Sequence, residues 1–247
     1  MEDKKKGINM FIKRIGLDQN KSSIYTKRPL DLDTDYNSSF DFMYPLSYIL
    51  ALDCERIVFK IIEYNIQSNI CDYLRVVFVS EESAKMPYLT DFIDFDIKKK
   101  RFVNVYMNPE KFNKMDDNHK REIIIEKICE ALSVVSEKEY HYTIAKICKE
   151  VYVKSDDTEC LYKKINTKKY NVEVRFKSSL DGYKVFLYVS NLVTKHEFKY
   201  IIFEKCSYSD LSYRINKLII KENKCILYPK KNSHYCDNPI EIEINCT

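Results

Sequence analysis

Glycine is nearly absent from these 247 residues: only Gly7, Gly16 and Gly182, far apart in the chain, and there is no tryptophan. A loop that wraps phosphates needs runs of backbone without side chains, so this scarcity excludes a P-loop and a dinucleotide fingerprint. No GxSxG occurs, and the four histidines (His119, His141, His196 and His234) form no HxH or HExxH, which removes the common hydrolase and zinc spacings. The nine cysteines are odd in number and include no CxxC. No apolar run of signal-peptide length follows Met1-Glu2-Asp3-Lys4-Lys5-Lys6, so the expectation is a reduced, cytoplasmic protein with buried free thiols. No apolar run reaches the ~20 residues of a membrane helix. A net charge of +4 is mild for a nucleic-acid binder. Together these absences give the expectation of a non-enzyme with no cofactor, no metal, no nucleic acid and no small-molecule substrate.

What is present is aromatic and charged: 20 Tyr and 13 Phe, with 45% hydrophobic and 32% charged residues. That balance suits a folded chain with a sizeable core. Residues 1–30 hold eight basic residues against three acidic ones, and Asp31, Asp33, Asp35 and Asp41 follow at once. The DxDxD start resembles a calcium loop, but Tyr36 stands where Gly is required and Phe42 where the bidentate Glu belongs, so a solvated acidic turn is expected. His234-x-Cys236, with Cys225 and Cys246, lacks a second close pair for zinc. The tyrosines are spread evenly, which leaves a nucleic-acid-binding or scaffold protein as a distant alternative.

Apolar spacing of three to four from Leu46 to Ile62, after Pro45, predicts a helix, with a helix followed by a strand over 55–64 as the alternative. Residues 73–80 read as a strand. Residues 91–97 and 102–107, joined by the basic turn Lys98-Lys99-Lys100-Arg101, read as a hairpin. Residues 118–136 read as a helix capped by Asp117, with Ile123, Ile124, Ile128, Leu132 and Val135 on its apolar stripe. Residues 140–152 fit helix or strand. Strands follow at 169–177, 183–190, 196–204 and 225–228, with an edge strand at 239–245. No linker interrupts the chain, so one α+β domain over 1–247 is expected.

The run Ser207-Tyr208-Ser209-Asp210-Leu211-Ser212-Tyr213-Arg214-Ile215, leading to Cys225-Ile226-Leu227-Tyr228-Pro229-Lys230-Lys231, resembles the end of the gasdermin pore-forming N-domain. There a small-residue turn precedes a Leu-aromatic-Arg-aliphatic strand, and a second strand ends in aromatic-Pro and basic residues. Val105 to Phe112 looks like that family's strand, Asx-Pro turn and helix start. Tyr140 to Ile147 falls where the family has a long strand, which assigns 140–152 to strand. Phe11-Ile12-Lys13-Arg14-Ile15 and Asn37-Ser38-Ser39-Phe40 look like its basic first helix and following turn. The resemblance spans nearly the whole chain and implies a twisted, mainly antiparallel sheet with flanking helices.

The departures carry the functional expectation. Family members insert two long amphipathic hairpins as a barrel, which needs strands of about 9–11 residues with a lipid-facing apolar set. The stretch between Tyr88 and Tyr106 is short and carries Asp91, Asp94, Asp96, Lys98, Lys99, Lys100 and Arg101, and charge at bilayer depth is costly. The expectation is also that the family's autoinhibitory C-domain has no counterpart after the last matching strand. The chain thus looks like a poxvirus-type gasdermin homologue that forms no pores. The resemblance implies interference with host pyroptosis and inflammasome signalling, as a decoy for caspases or host gasdermin. A membrane-active pore-forming effector is the alternative. Tyr88-Leu89-Thr90-Asp91 has the aromatic-aliphatic-small-Asp character of an inflammatory-caspase site, with bulky Phe92 after it. Lys13 and Arg14 lie on the segment that touches acidic lipids in the family, so weak binding to an acidic lipid surface is a further expectation.

Overall fold

The computed structural model describes residues 10–20, 40, 46–68, 70–80, 86–89, 100–231 and 238–244. The class is α+β. Among the described residues, six of the eight strand pairings are antiparallel and the sheets are open, with none closed into a barrel. Contacts group the chain into two compact units, Met1–Ser155 and Asp156–Thr247.

The first unit is a sheet with helices packed on it. Strands β1 (Arg14–Asn20), β2 (Tyr73–Val79), β3 (Tyr88–Leu89) and β4 (Lys100–Tyr106) lie in the order β1-β2-β4-β3. β1, β2 and β4 are mutually parallel and β3 pairs antiparallel with β4. The helices are α1 (Leu46–Glu63), the short α2 (Pro109–Asn113), α3 (Asp117–Val135) and α4 (His141–Lys154). Side chains alternate across a strand. Ile15, Leu74, Val76, Phe78, Val103 and Val105 therefore share one face, where they are buried in a single core with residues of all four helices.

Several expectations change here. Residues 46–63 form one helix, without a strand after it. Leu46, Leu50, Cys54, Ile57 and Ile61 are all buried, so the helical period runs to the end. Residues 140–152 are not a strand: a 3-10 turn, Lys138–Tyr140, leads into α4. Its buried residues Ile144, Ile147, Cys148 and Val151 recur every three to four positions, and burying that stripe outweighs the strand propensity of its β-branched and aromatic residues. The segment containing Lys13 and Arg14 is not a helix. Met10 bridges to Ser68, and Arg14 opens β1. Lys100 and Arg101 lie inside β4 and not in a turn, while 91–97, the other arm of the expected hairpin, lies outside the described residues. The cap of α3 is Asp116, whose carboxylate accepts from the His119 backbone, one residue before the expected Asp117.

The second unit is built of strands. One sheet has the order β5-β6-β7-β8: Cys160–Asn166, Tyr170–Ser179, Gly182–Asn191 and Glu197–Cys206. The other has the order β11-β10-β9, with β9 at Lys217–Lys221, β10 at Lys224–Tyr228 and β11 at Ile240–Glu243. β11 is an edge strand, as the tail's alternation suggests. In β6, Tyr170, Val172, Val174, Phe176 and Ser178 are buried in strict alternation with half-buried neighbours. Gly182 sits at φ +115 in the β6–β7 turn, a conformation that L side chains resist. The run read as a Leu-aromatic-Arg strand is instead helix α5, Tyr208–Arg214. Ser207 accepts from the Asp210 backbone while the Asp210 carboxylate accepts from the Ser207 backbone. This capping box starts a helix where apolar content alone suggests a strand.

Candidate anion-binding site

The sheet of the first unit has a second face, and its pairing register places charge there. Arg14, Tyr73 and Lys100 open their strands and form one row across β1, β2 and β4. Gly16, Arg75 and Phe102 form the next row, and Asp18, Val77 and Asn104 the third. Residues two apart on a strand share a face, so these rows stack above one another. Toward the ends of the strands this face is buried: Val77, Val79, Phe102 and Asn104 are at most 1% exposed. At the beginnings of the strands it opens. Arg14 is exposed, and Tyr73, Arg75 and Lys100 are half-buried.

Three cations share one aromatic ring. The Arg14 Cζ lies 5.0 Å from the Tyr73 ring centroid, the Arg75 Cζ 5.4 Å and the Lys100 Nζ 5.4 Å. Lys100 also lies 4.9 Å from the Phe102 ring. The negative face of an aromatic ring attracts each cation, but it carries no net charge to cancel three of them. Asp18 accepts from Arg75 Nη1 at 2.8 Å. Among the described residues, Arg14 meets no carboxylate. The Arg75 Nε is buried without an acceptor.

Gly16 makes the cluster possible. A Cβ at this position would lie 2.8 Å from Arg75 Cδ, 2.9 Å from Arg75 Nη1 and 3.0 Å from the Tyr73 hydroxyl. The bare backbone of β1 lets the arginine and the phenol cross it.

The expected site residues separate. Arg14 is part of the cluster. Lys13 is beside it in sequence, with its side chain 69% exposed and 3.7 Å from Asp72. Tyr88 and Leu89 form β3 at the edge of the sheet, and the Tyr88 hydroxyl accepts from Asn104 Nδ2 at 2.8 Å. Thr90 and Asp91 lie outside the described residues, as do His234, Cys236 and Cys246. Sequence reasoning missed Tyr73, Arg75 and Lys100. Their signal was the x-alternating start of each strand (Arg-x-Gly, Tyr-x-Arg, Lys-x-Phe), which gains meaning only once the register is known.

Elsewhere in the protein, charged groups pair with one another. Asp53, fully buried on α1, accepts from Arg56 Nη1 at 2.8 Å, from Arg121 Nε at 2.6 Å and from Arg121 Nη2 at 3.0 Å. Arg121 also donates to the carbonyls of Val151 and Tyr152. This network ties α1, α3 and the end of α4 together. In the second unit, Glu159 accepts from the Tyr188 hydroxyl at 2.7 Å and from Lys199 at 3.0 Å. Partial burial pushes that carboxyl up, but these two donors more than offset it and hold it below its ordinary range. Burial pushes the thiol of Cys71 up to about 11 and that of Cys225 up to about 12. Among the described residues, no group of three His, Cys, Asp or Glu side chains is placed to hold a metal. Likewise, no helix is long and apolar enough to cross a membrane. Comparison of the chain with protein-family models, with curated proteins and with solved structures gives no match.

Proposed function

We propose that this protein acts by binding, and that the first unit docks on anionic surfaces through Arg14, Arg75 and Lys100. The observation that carries this reading is the convergence of three cations on Tyr73 at the open end of a sheet face. A basic side chain near an anionic membrane surface contributes about 1 kcal/mol. Removing two of the three should therefore cost about 2 kcal/mol, on the order of 30-fold in affinity. Flotation with vesicles of neutral lipid, or of neutral lipid plus phosphatidylserine, tests it. Wild type should float only with the anionic vesicles and dissociate as salt rises, because exposed charges are screened. Equal flotation of Arg14→Gln/Lys100→Gln would remove the reading. The same vesicles loaded with dye should show binding without leakage if the protein forms no pores.

A second reading, interference with host caspases or gasdermin by a gasdermin-like decoy, is favoured by one observation. Tyr88 and Leu89 are extended on an edge strand, and Leu89 is 37% exposed. Extended segments are what edge-pairing partners recognise. Incubation with inflammatory caspases should then give inhibition or cleavage after Asp91, and Asp91→Ala should abolish it. Unchanged inhibition by that variant would exclude this segment.

A further inference from the structure

We infer that Cys129 and Cys148 are an oxidation site, at which a peroxide converts two free thiols to a disulfide that pins α3 to α4. Helix α3 ends at Val135 and α4 begins at His141. Arg121, near the start of α3, donates to the carbonyls of Val151 and Tyr152, near the end of α4. The two helices therefore run antiparallel, side by side. Cys129 stands six residues before Val135 and Cys148 seven after His141, so both lie about 10 Å along their helices from the connection. Their faces agree as well. Ile125 and Leu132 flank Cys129 at i−4 and i+3, and Ile144 and Val151 flank Cys148 in the same way. All four are buried in one core, which Cys148 joins and Cys129 packs against. The Cys148 thiol donates to the Cys129 sulfur. Axes of closely packed helices lie about 8–10 Å apart with Cα atoms about 2.3 Å off each axis, which puts facing Cα atoms within reach of a disulfide, roughly 4.4–6.8 Å.

The two thiols are unequal, and the inequality assigns their roles. Cys129 is half-buried, within reach of a small oxidant, and the hydrogen bond from Cys148 holds its thiol below the ordinary value. The same hydrogen bond, with burial after it, keeps the proton on Cys148. The thiolate is the nucleophile, so Cys129 reacts first. Its sulfur attacks one oxygen of hydrogen peroxide. The S–O bond forms, the O–O bond breaks, and the departing hydroxide takes up the proton that Cys129 released and leaves as water, giving a sulfenic acid. The Cys148 sulfur then attacks the Cys129 sulfur. The S–S bond forms, the S–O bond breaks, and the departing hydroxide takes the Cys148 proton as a second water. Two thiols lose two electrons and the peroxide gains them. Cys54, on α1, is near enough to raise Cys148 further, but burial keeps its own thiol protonated, so it stays a bystander.

The test treats the reduced full chain with hydrogen peroxide, blocks the remaining thiols with iodoacetamide and maps the peptides without reduction. A peptide pair joined through Cys129 and Cys148 is expected, and dithiothreitol should return both to free thiols. Cys148→Ala, a small apolar change in the core, should leave Cys129 as a sulfenic acid that dimedone traps, while wild type gives little dimedone adduct because the bridge consumes it. Cys129→Ser, at a half-buried position, should leave Cys148 unmodified by peroxide. The bridge should also raise the melting temperature by several degrees, because it constrains the unfolded chain. A melting temperature that stays level or falls would overturn the pinning of α3 to α4. Cys129 that remains fully open to iodoacetamide after peroxide, that passes to the sulfinic acid without a bridge, or that is left out while Cys148 joins Cys54 would overturn the pair itself. The mapping on wild type decides this even if a variant fails to fold.

Discussion

The tightest geometric constraints are at single residues. Gly16 is one of three glycines in the chain, and it lies where two side chains cross the backbone of β1. Gly16→Ala should leave the melting temperature nearly unchanged, because the displaced Arg75 is long and flexible, yet it should weaken anion binding. A thermal melt beside a binding isotherm separates the two effects. Asp53 behaves oppositely. It is the shared acceptor of Arg56 and Arg121, and its removal leaves two cations at the junction of three helices. Asp53→Ala should destabilise the first unit by about 3–5 kcal/mol in denaturant unfolding. The thiols give a third expectation. The Cys148 thiol donates to the Cys129 sulfur, which holds Cys129 below the ordinary thiol value and Cys148 above it. Burial raises Cys54 and Cys71 as well. Alkylation of the native protein should therefore modify Cys129 before Cys54, Cys71 and Cys148. Peptide mapping by mass spectrometry at short times would show the order.

Helices and strands differ in how much of them the sequence discloses. α3 was legible because its stripe and its cap agree: Ile124, Ile128, Leu132 and Val135 are buried, and an acidic residue precedes the first turn. β2 and β6 were legible because their β-branched and aromatic residues stand at strand spacing. α4 was not. Tyr140-His141-Tyr142-Thr143-Ile144 has strand propensity, and the family resemblance favoured a strand too. Only the recurrence of Ile144, Ile147/Cys148 and Val151, completed by packing, fixes the helix. The α5 segment was misread for a related reason. Its start is set by the reciprocal hydrogen bonds of Ser207 and Asp210, and Ser207→Ala should destabilise the second unit by about 1 kcal/mol. The start of α3 carries a pH signature. Hydrogen bonds from the His119 backbone and ring hold Asp116 below its ordinary value, and the same carboxylate raises His119. The Asp116 contribution is present above its unfolded pKa and is lost as pH falls through the folded one. The His119 contribution is full below its unfolded pKa and is lost as pH rises through the folded one. An NMR titration should find His119 above 6.5, its ordinary value, and Asp116→Asn should return it there.

At the scale of the molecule, what a sequence hides most is which distant segments become neighbours. Residues 14, 73, 75 and 100 share no local motif, and the basic run at 1–30 draws attention to Lys13 and Arg14 alone. Parallel pairing of β1, β2 and β4 brings the first residues of three strands into one row, and the site exists only through that register. The α+β class was legible from the alternation of patterns; the boundary at 155/156 was not, because no linker composition marks it. The most direct measurement of the central claim is vesicle flotation of the full chain beside Arg14→Gln/Lys100→Gln. The account expects wild type to float with anionic vesicles and not with neutral ones, and expects the double variant, folded by circular dichroism, to stay behind. Wild type that ignores anionic vesicles, or a variant that floats equally well, would contradict it.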